Sequence, residues 1–292
     1  MSCGDHVIIS ELARAKINLS LGVRGRRPDG YHELASHVAF ASAGDRLVLT
    51  PGDETTIAVT GPFAAAIDGP NLIAKVIDAV AKTHPRIRFG RFTLEKNLPV
   101  AAGIGGGSAD AAAALRAIRH ANPELDQAVD WRAIAAGLGA DVPVCLGSRA
   151  AFMWGIGHDT ADIGPLPETH AVLVNPRVTL STAHVFAALG AEPVPAHQPA
   201  VIVPNPFASF EAMIALLHRH PNGLQPTATT LCPTIDDVIA ALQATRGCRL
   251  ARLSGSGATC FGLYSTTSEA GAARAQIAAE QPGWWAVAAA LQ

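Results

Sequence analysis

Four glycines in five positions, Gly103-Ile104-Gly105-Gly106-Gly107, stand directly ahead of Ser108 and an alanine-rich run. Ser108 is a good helix N-cap, and residues 109–121 hold strong helix formers with no proline or glycine. A glycine-rich turn that feeds a helix start leaves backbone N–H groups unpaired and pointing outward. Glycine lets an anion approach that backbone closely, and the helix dipole adds roughly half a positive charge there. The expected chemistry is a phosphate cradle. Two further places set a charged residue in an informative pattern. Lys16 and Asn18 lie two apart in an alternating stretch, so they share one face of a strand. Asp141 is a lone carboxylate among small and apolar residues in Gly139-Ala-Asp-Val-Pro-Val144. A buried charge is costly unless it is paired, so a cationic partner or a helix-capping role is expected for it.

Other glycine loops fit less well. A Walker loop ends in Gly-Lys-Ser/Thr, whereas this one reads Gly107-Ser108-Ala109. A dinucleotide fingerprint needs G-x-G-x-x-G with an acid about 20 residues on. Here Ser108 takes the last glycine's place, and Asp126 or Asp130 would have to supply the acid. A plain strand-to-helix turn would not need so many glycines, each costing about 0.5–1 kcal/mol against alanine at an ordered position.

The composition narrows the function classes. The chain has 292 residues, 49% hydrophobic and 16% charged, which suits a compact protein of one large or two ordinary domains. A net charge of −2 without basic blocks argues against a nucleic-acid partner. The N-terminus lacks the basic and apolar regions of a signal peptide, and no apolar run reaches the roughly 18 residues of a membrane span. Cys3, Cys145, Cys232, Cys248 and Cys260 form no C-x-x-C pair and read as reduced thiols of a cytoplasmic chain. The histidine pairs His32/His37 and His218/His220 lack a second matching pair, so no metal site is expected.

The elements that must position these residues can be read from periodicity. One strand is expected over Lys16–Val23, with Ile17, Leu19, Leu21 and Val23 on one face and Lys16, Asn18 and Ser20 on the other. A charged turn, Arg24–Gly30, leads to Tyr31 and His32, which could meet a flat ring. Strands are expected at 38–40, 45–51, 56–60 and 92–95, and helices at 71–84 and 131–138. Asn71 reads as an N-cap, and Lys96 as a strand-end residue that is either solvated or turned to a ligand. After a strand at 150–155, Asp159–Leu166 with Gly164, Pro165 and Pro167 marks a domain boundary. The expected division is therefore 1–160 and 161–292. Beyond it come a strand at 171–175, a helix at 181–189 holding Phe186, and a proline-rich loop at 193–206. Helices at 207–218 and 235–244 precede a second glycine turn, Leu253-Ser-Gly-Ser-Gly-Ala258, set between two strands. A helix at 268–280 and a strand at 284–290 close the chain. No internal repeat is present.

The loop from Leu98-Pro99 to Ser108 resembles the second motif of the GHMP kinases, whose glycine loop holds ATP phosphates. Ala15-Lys-Ile-Asn-Leu19 followed by Arg27-Pro-Asp-Gly-Tyr-His-Glu-Leu34 is similar to the opening of one branch of that superfamily. Its members phosphorylate 4-diphosphocytidyl-2-C-methyl-D-erythritol in the non-mevalonate isoprenoid route. Pro176–Phe186 and Leu253–Tyr264 fit the later motifs of the same branch.

The resemblance implies an α+β fold with a ribosomal-protein S5 domain 2-like N-terminal lobe that binds ATP and a ferredoxin-like C-terminal lobe. It implies ATP and Mg²⁺ as cofactors and a small-molecule substrate, the cytidine diphosphate methylerythritol. ATP would lie against Asn71, Lys96, Pro99, Val100, Ala101, Ala102, Gly103, Ile104, Gly105, Gly106, Gly107, Ser108 and Ala109. Asp141 would be the catalytic base, held ionised by Lys16, and Asn18, Tyr31, His32 and Phe186 would bind the substrate. Two places depart from the pattern. Ser-Ser-Asn is Ser108-Ala109-Asp110 here, and Asp110 could hold Mg²⁺. The usual Glu after Gly-x-Gly is His158, which takes no role. Homoserine or mevalonate kinases share the loop but not Asp29-Gly-Tyr-His32. A catalytically inactive nucleotide-binding relative would not need both Lys16 and Asp141, and a nicotinamide oxidoreductase is the more distant alternative.

Overall fold

The computed structural model describes residues 7–67, 71–84, 86–195 and 201–292. These described residues fall into two compact units, one drawn from those within 1–14, 44–100 and 106–147, the other from those within 15–43, 101–105 and 148–292. Strands β1 (Ile9–Asn18) and β3 (His32–Pro51) each pass through both.

In the first unit the second half of β3 pairs antiparallel with β5 (Gly90–Glu95), Arg46 opposite Glu95. The strand β4 (Thr56–Thr60) pairs with β5 in parallel. Helix α1 (Leu72–Ala81) begins where the Asn71 side chain accepts the Ile73 N–H at 2.9 Å. Helix α2 (Gly106–Ala121) is buried on every side from Ala109 to Leu115, and again at Ala117 and Ile118. Side chains that small allow α1, α3 (Trp131–Leu138) and α4 (Val142–Gly147) to pack closely on it. Arg116 of α2 is anchored at the other end of this unit. Its guanidinium reaches Glu11 at 2.7 Å and the Leu12 and Cys145 carbonyls at 3.0 Å.

In the second unit β2 (Gly22–Arg26) and β6 (Ala151–Gly155) pair with the first half of β3, and β7 (Asp159–Asp162) with β6. A separate antiparallel sheet has the order β11-β8-β10-β9. Its strands are β8 (His170–Asn175), β9 (Leu250–Leu253), β10 (Cys260–Tyr264) and β11 (Trp285–Ala290). Numbered within the sheet, that order is the 4-1-3-2 arrangement of a ferredoxin-like unit. Helices α5 (Thr182–Leu189), α6 (Phe210–Arg219), α7 (Gln225–Leu231), α8 (Thr234–Ala244) and α9 (Thr267–Glu280) complete the unit. Val172, Val174, Ile235, Val238, Leu242, Leu253 and Tyr264 form its core. A capping box starts α9: Thr266 Oγ1 accepts the Glu269 N–H at 3.2 Å and donates to that carboxylate at 3.1 Å.

Several sequence expectations need correction. The strand expected over Lys16–Val23 is two: β1 ends at Asn18, and β2 begins at Gly22. Strands 38–40 and 45–51 are one continuous β3. Helix α2 starts at Gly106, two residues before the expected cap at Ser108. Residues 142–147, for which the sequence reading named no element beyond a possible cap at Asp141, are helical, with Pro143 in the first turn where it sacrifices no hydrogen bond. The expected boundary segment 159–166 opens with β7, and helix α7 had no sequence signal in Gln-Pro-Thr-Ala-Thr-Thr-Leu231. Of the loop 193–206, residues 196–200 lie outside the described residues; Cys3 does too.

Candidate active site

The first unit carries Asn71, Lys96, Gly106–Ala109 and Asp141. Asn71 spends its oxygen on the α1 cap, and its buried Nδ2 has no partner among the described residues. A donor kept dry and unspent at a helix start suits an acceptor supplied by a ligand.

Lys96 is not the solvated strand-end residue that was one of its two readings. It is only 3% exposed, and its ammonium lies 2.5 Å from Asp45 and 2.6 Å from Asp110. Burial opposes its charge, but Asp110 and Asp45 outweigh that and leave the lysine pKa raised. For Asp110, burial, with Asp45 nearby, pushes the carboxyl up against the pull of Lys96. Asp45, 0% exposed, also accepts the N–H groups of Asn97 at 2.5 Å and Leu98 at 2.7 Å. It therefore pins the turn into the glycine loop. Asp141 is half-buried and immediately precedes α4, where its carbonyl accepts the Cys145 N–H at 3.2 Å.

The second unit carries Lys16, Asn18, Tyr31, His32, Ala101–Gly105 and Phe186. At the end of β1 the polar side chains are as buried as the apolar ones: Lys16 is 4% exposed and Asn18 is buried, as is Ser20 just beyond the strand. The Lys16 N–H donates to the Ile104 carbonyl at 2.9 Å, which ties β1 to the glycine loop. A Cβ on Gly105 would lie 3.3 Å from Lys16 Cβ and 3.4 Å from its Cε, so the lysine stem runs against that glycine. Ala101, Gly103 and Gly105 all have positive φ, at 51°, 74° and 62°. This alternation turns successive N–H groups to one side and suits an anion nest.

The loop rests on the second glycine turn. Ser254 Oγ donates to the Gly103 carbonyl at 3.1 Å, and the Thr259 N–H to that of Ala102 at 3.1 Å. Ser254 Oγ also accepts the Asn18 N–H at 3.3 Å. Asn222 steadies this turn from outside, donating to the Leu253 and Gly255 carbonyls at 2.9 and 2.8 Å.

Asn18 Nδ2 donates to Ser36 Oγ at 2.8 Å, and Ser36 donates to the Ser20 carbonyl at 2.5 Å. Ser20 Oγ in turn lies 2.9 Å from His37 Nδ1. The His37 ring packs edge-on against Phe152 at 5.0 Å, and its Nε2 has no partner among the described residues. Burial, aided by His220, lowers its pKa from 6.5 to about 4. The folded chain thus keeps His37 neutral while the unfolded chain protonates it near 6.5. Stability is expected to fall as pH drops below that value and to level off near 4. Urea unfolding of wild type and His37→Gln at about pH 7 and about pH 5 tests this. The wild type should lose more on acidification, and equal losses would rule the histidine out as the cause.

His32 and Phe186 meet with ring centroids 4.7 Å apart and planes 30° from parallel. Burial first, then Arg26, lowers the His32 pKa, which favours the neutral imidazole, a donor at one nitrogen and an acceptor at the other. Tyr31 is 58% exposed, and its ring joins no other ring among the described residues. His158 lies 3.7 Å from Asp159 on the surface. The sequence reading gave no role to Asp45, Ser36 or His37, and placed Ser254 only within the second glycine turn. A lone acid after Gly44 in an apolar strand was the available signal for Asp45; the others needed the fold.

The family description "GHMP kinases N terminal domain" matches residues 71–149, and "GHMP kinases C terminal" matches 200–283. The 4-diphosphocytidyl-2-C-methyl-D-erythritol kinase of Parvibaculum lavamentivorans is 49% identical over 280 residues, covering 95% of this chain and 96% of that protein. The enzyme of the same description from Rhodopseudomonas palustris is 46% identical, covering 100% of both chains. A crystal structure of a 4-(cytidine 5'-diphospho)-2C-methyl-D-erythritol kinase is 33% identical with a TM-score of 0.76, covering 97% of this chain and 99% of that one. Homoserine kinase from Cytophaga hutchinsonii, 18% identical with a TM-score of 0.65 and covering 100% and 96%, shares the fold.

Proposed function

The chain belongs to the 4-diphosphocytidyl-2-C-methyl-D-erythritol kinases within the GHMP kinases, and on that premise we propose how its residues divide the work. The reaction moves the γ-phosphoryl group of ATP to the 2-hydroxyl of 4-diphosphocytidyl-2-C-methyl-D-erythritol. The hydroxyl oxygen bonds to the γ-phosphorus as the bond to the β-phosphate oxygen breaks; the products are the 2-phosphate and ADP. The hydroxyl proton passes to the Asp141 carboxylate. Lys16 supplies positive charge to the transferring group. Phosphoryl transfer depends mainly on positioning and electrostatics, so few groups are needed.

The observation that carries this reading is the nest of Ala101, Gly103 and Gly105, followed by the helix start at Gly106. Backbone N–H groups from Gly103 to Ser108 hold the triphosphate, with Pro99–Ala102 and Ala109 flanking it. Asn71 and Lys96 serve the nucleotide. Mg²⁺ would supply neutralising charge to the phosphates of ATP. We assign it no protein ligand; among the described residues no cluster of three or more potential ligands is assembled. The division into an ATP-binding part, 1–160, and a C-terminal part, 161–292, belongs to the same reading. So does a cytoplasmic location, since Cys145, Cys232, Cys248 and Cys260 are free thiols. No described helix is long and apolar enough to cross a membrane. The substrate is a small molecule, and the reading needs no nucleic acid.

Asn18, Tyr31, His32 and Phe186 recognise the substrate, the aromatics by stacking on cytosine and His32 by a hydrogen bond to the base edge. Phe186→Ala removes one wall of the ring pair. Its KM for the cytidyl substrate should rise about tenfold, with the KM for ATP unchanged, on the scale of an aromatic contact worth about 0.5–1.5 kcal/mol beyond area burial. Steady-state kinetics with each substrate varied in turn measure this. An unchanged KM for the cytidyl substrate would remove Phe186 from the pocket.

A further inference from the structure

We propose that Asp45 and Asp110 are positioning residues for ATP, acting together through Lys96 to fix the turn and helix start that receive its phosphates. The inference rests on the reading of residues 103–108 as the triphosphate loop.

Asp45 binds on two sides. One oxygen takes the Asn97 and Leu98 N–H groups, and the other takes the Lys96 ammonium. One carboxylate with no solvent exposure therefore holds three consecutive residues entering the loop, Lys96 by its side chain and Asn97 and Leu98 by their backbone N–H groups. Lys96 then crosses to Asp110, the fifth residue of α2, at 2.6 Å. It passes under the helix start: a Cβ on Gly106 would lie 3.3 Å from Lys96 Nζ. One ammonium thus joins the end of β5, the strand β3 and the first turns of α2.

Packing alone does not account for this arrangement. Two carboxylates and one ammonium sit in the interior with a formal charge of −1, and Asp110 Oδ1 has no partner among the described residues. Apolar residues of similar volume commonly replace such clusters with no loss of stability. The cluster stands instead where a helix N-terminus attracts negative charge. A carboxylate left uncompensated there would repel an incoming phosphate. Lys96, clamped from both sides, cancels most of that repulsion and cannot swing away.

The arrangement also bears on magnesium. Asp110 is 4% exposed, and one of its oxygens is committed to Lys96. It acts through the lysine and not as a metal ligand.

The test compares wild type, Asp45→Asn, Asp110→Asn and the double variant. ATP binding to the purified full chain is measured by calorimetry without acceptor substrate, and turnover is measured separately with Mg²⁺ titrated at saturating ATP. Each single variant should bind ATP about tenfold more weakly, the scale of a lost hydrogen bond to a charged group. Their kcat should change little and their Mg²⁺ midpoint not at all. The double variant should lose little more than either single, because both act through one lysine. Thermal unfolding confirms that each variant is folded, and Asp110→Asn alone decides the matter if Asp45→Asn is not.

Unchanged or tighter ATP binding in a folded Asp110→Asn would overturn the proposal. So would multiplying effects in the double variant, or a raised Mg²⁺ midpoint in Asp110→Asn, which would make it a metal ligand. Failure of the kinase reading looks different: the wild type would then release no ADP with the cytidyl substrate.

Discussion

Asp141→Asn should lower kcat by about 10²- to 10⁴-fold, the usual worth of a positioned general base, while leaving the KM for ATP close to that of the wild type. Asparagine keeps the size and most of the hydrogen-bonding capacity of the side chain but cannot take the proton of the attacking hydroxyl. The residue stands half-buried at the start of α4, the helix that packs on α2. Its backbone is held by the Cys145 N–H, so the substitution should leave the fold intact. Initial-rate kinetics with ATP at saturation decide the point. Turnover near that of the wild type would take Asp141 out of the base role and leave transfer to positioning and charge alone.

The second large effect is expected at Gly103. Its φ of 74° is a conformation that an L side chain adopts only with strain of roughly 1–2 kcal/mol. A Cβ there would also lie 2.6 Å from the Gly257 nitrogen, 2.6 Å from the Ser254 oxygen and 2.7 Å from the Gly257 oxygen. All three are backbone atoms of the second glycine turn and cannot rotate aside. Overpacking of this kind costs about 1–3 kcal/mol. Gly103→Ala should therefore destabilise the protein by about 2–5 kcal/mol and weaken ATP binding by shifting the nest. Gly271, inside α9 with open space beside it, is the control. Gly271→Ala should be neutral or stabilising by about 0.5–1 kcal/mol. Thermal unfolding of the two variants side by side tests the contrast. Equal stability would mean that the two turns do not pack as closely as described.

Much of the proposed site could be read from the sequence because its parts are local. Glycines ahead of an alanine run, two polar residues on alternate strand positions and a lone carboxylate between small residues each carry their meaning within a few positions. The errors arose where meaning depended on remote partners. Lys96 could not be assigned between solvent and ligand because its counter-ions come from β3 and α2. Asp45 read only as the first residue of an expected strand, with no role, for the same reason. Alternation from Lys16 to Val23 runs on across the break between β1 and β2 because Leu19 and Leu21 stay buried there, and a period of two does not register a change of direction. The start of α2 was placed too late because glycine is a poor helix former. At Gly106 and Gly107 the chain gives up propensity at a helix end, where bare backbone is what a phosphate needs.

The most direct test of the whole account is ADP release by the purified protein with ATP, Mg²⁺ and 4-diphosphocytidyl-2-C-methyl-D-erythritol, with homoserine and mevalonate assayed in parallel. The account predicts turnover with the cytidyl substrate alone. Turnover with homoserine or mevalonate in its place would contradict it, and would retain the phosphate loop and Asp141 while discarding the roles given to Tyr31, His32 and Phe186.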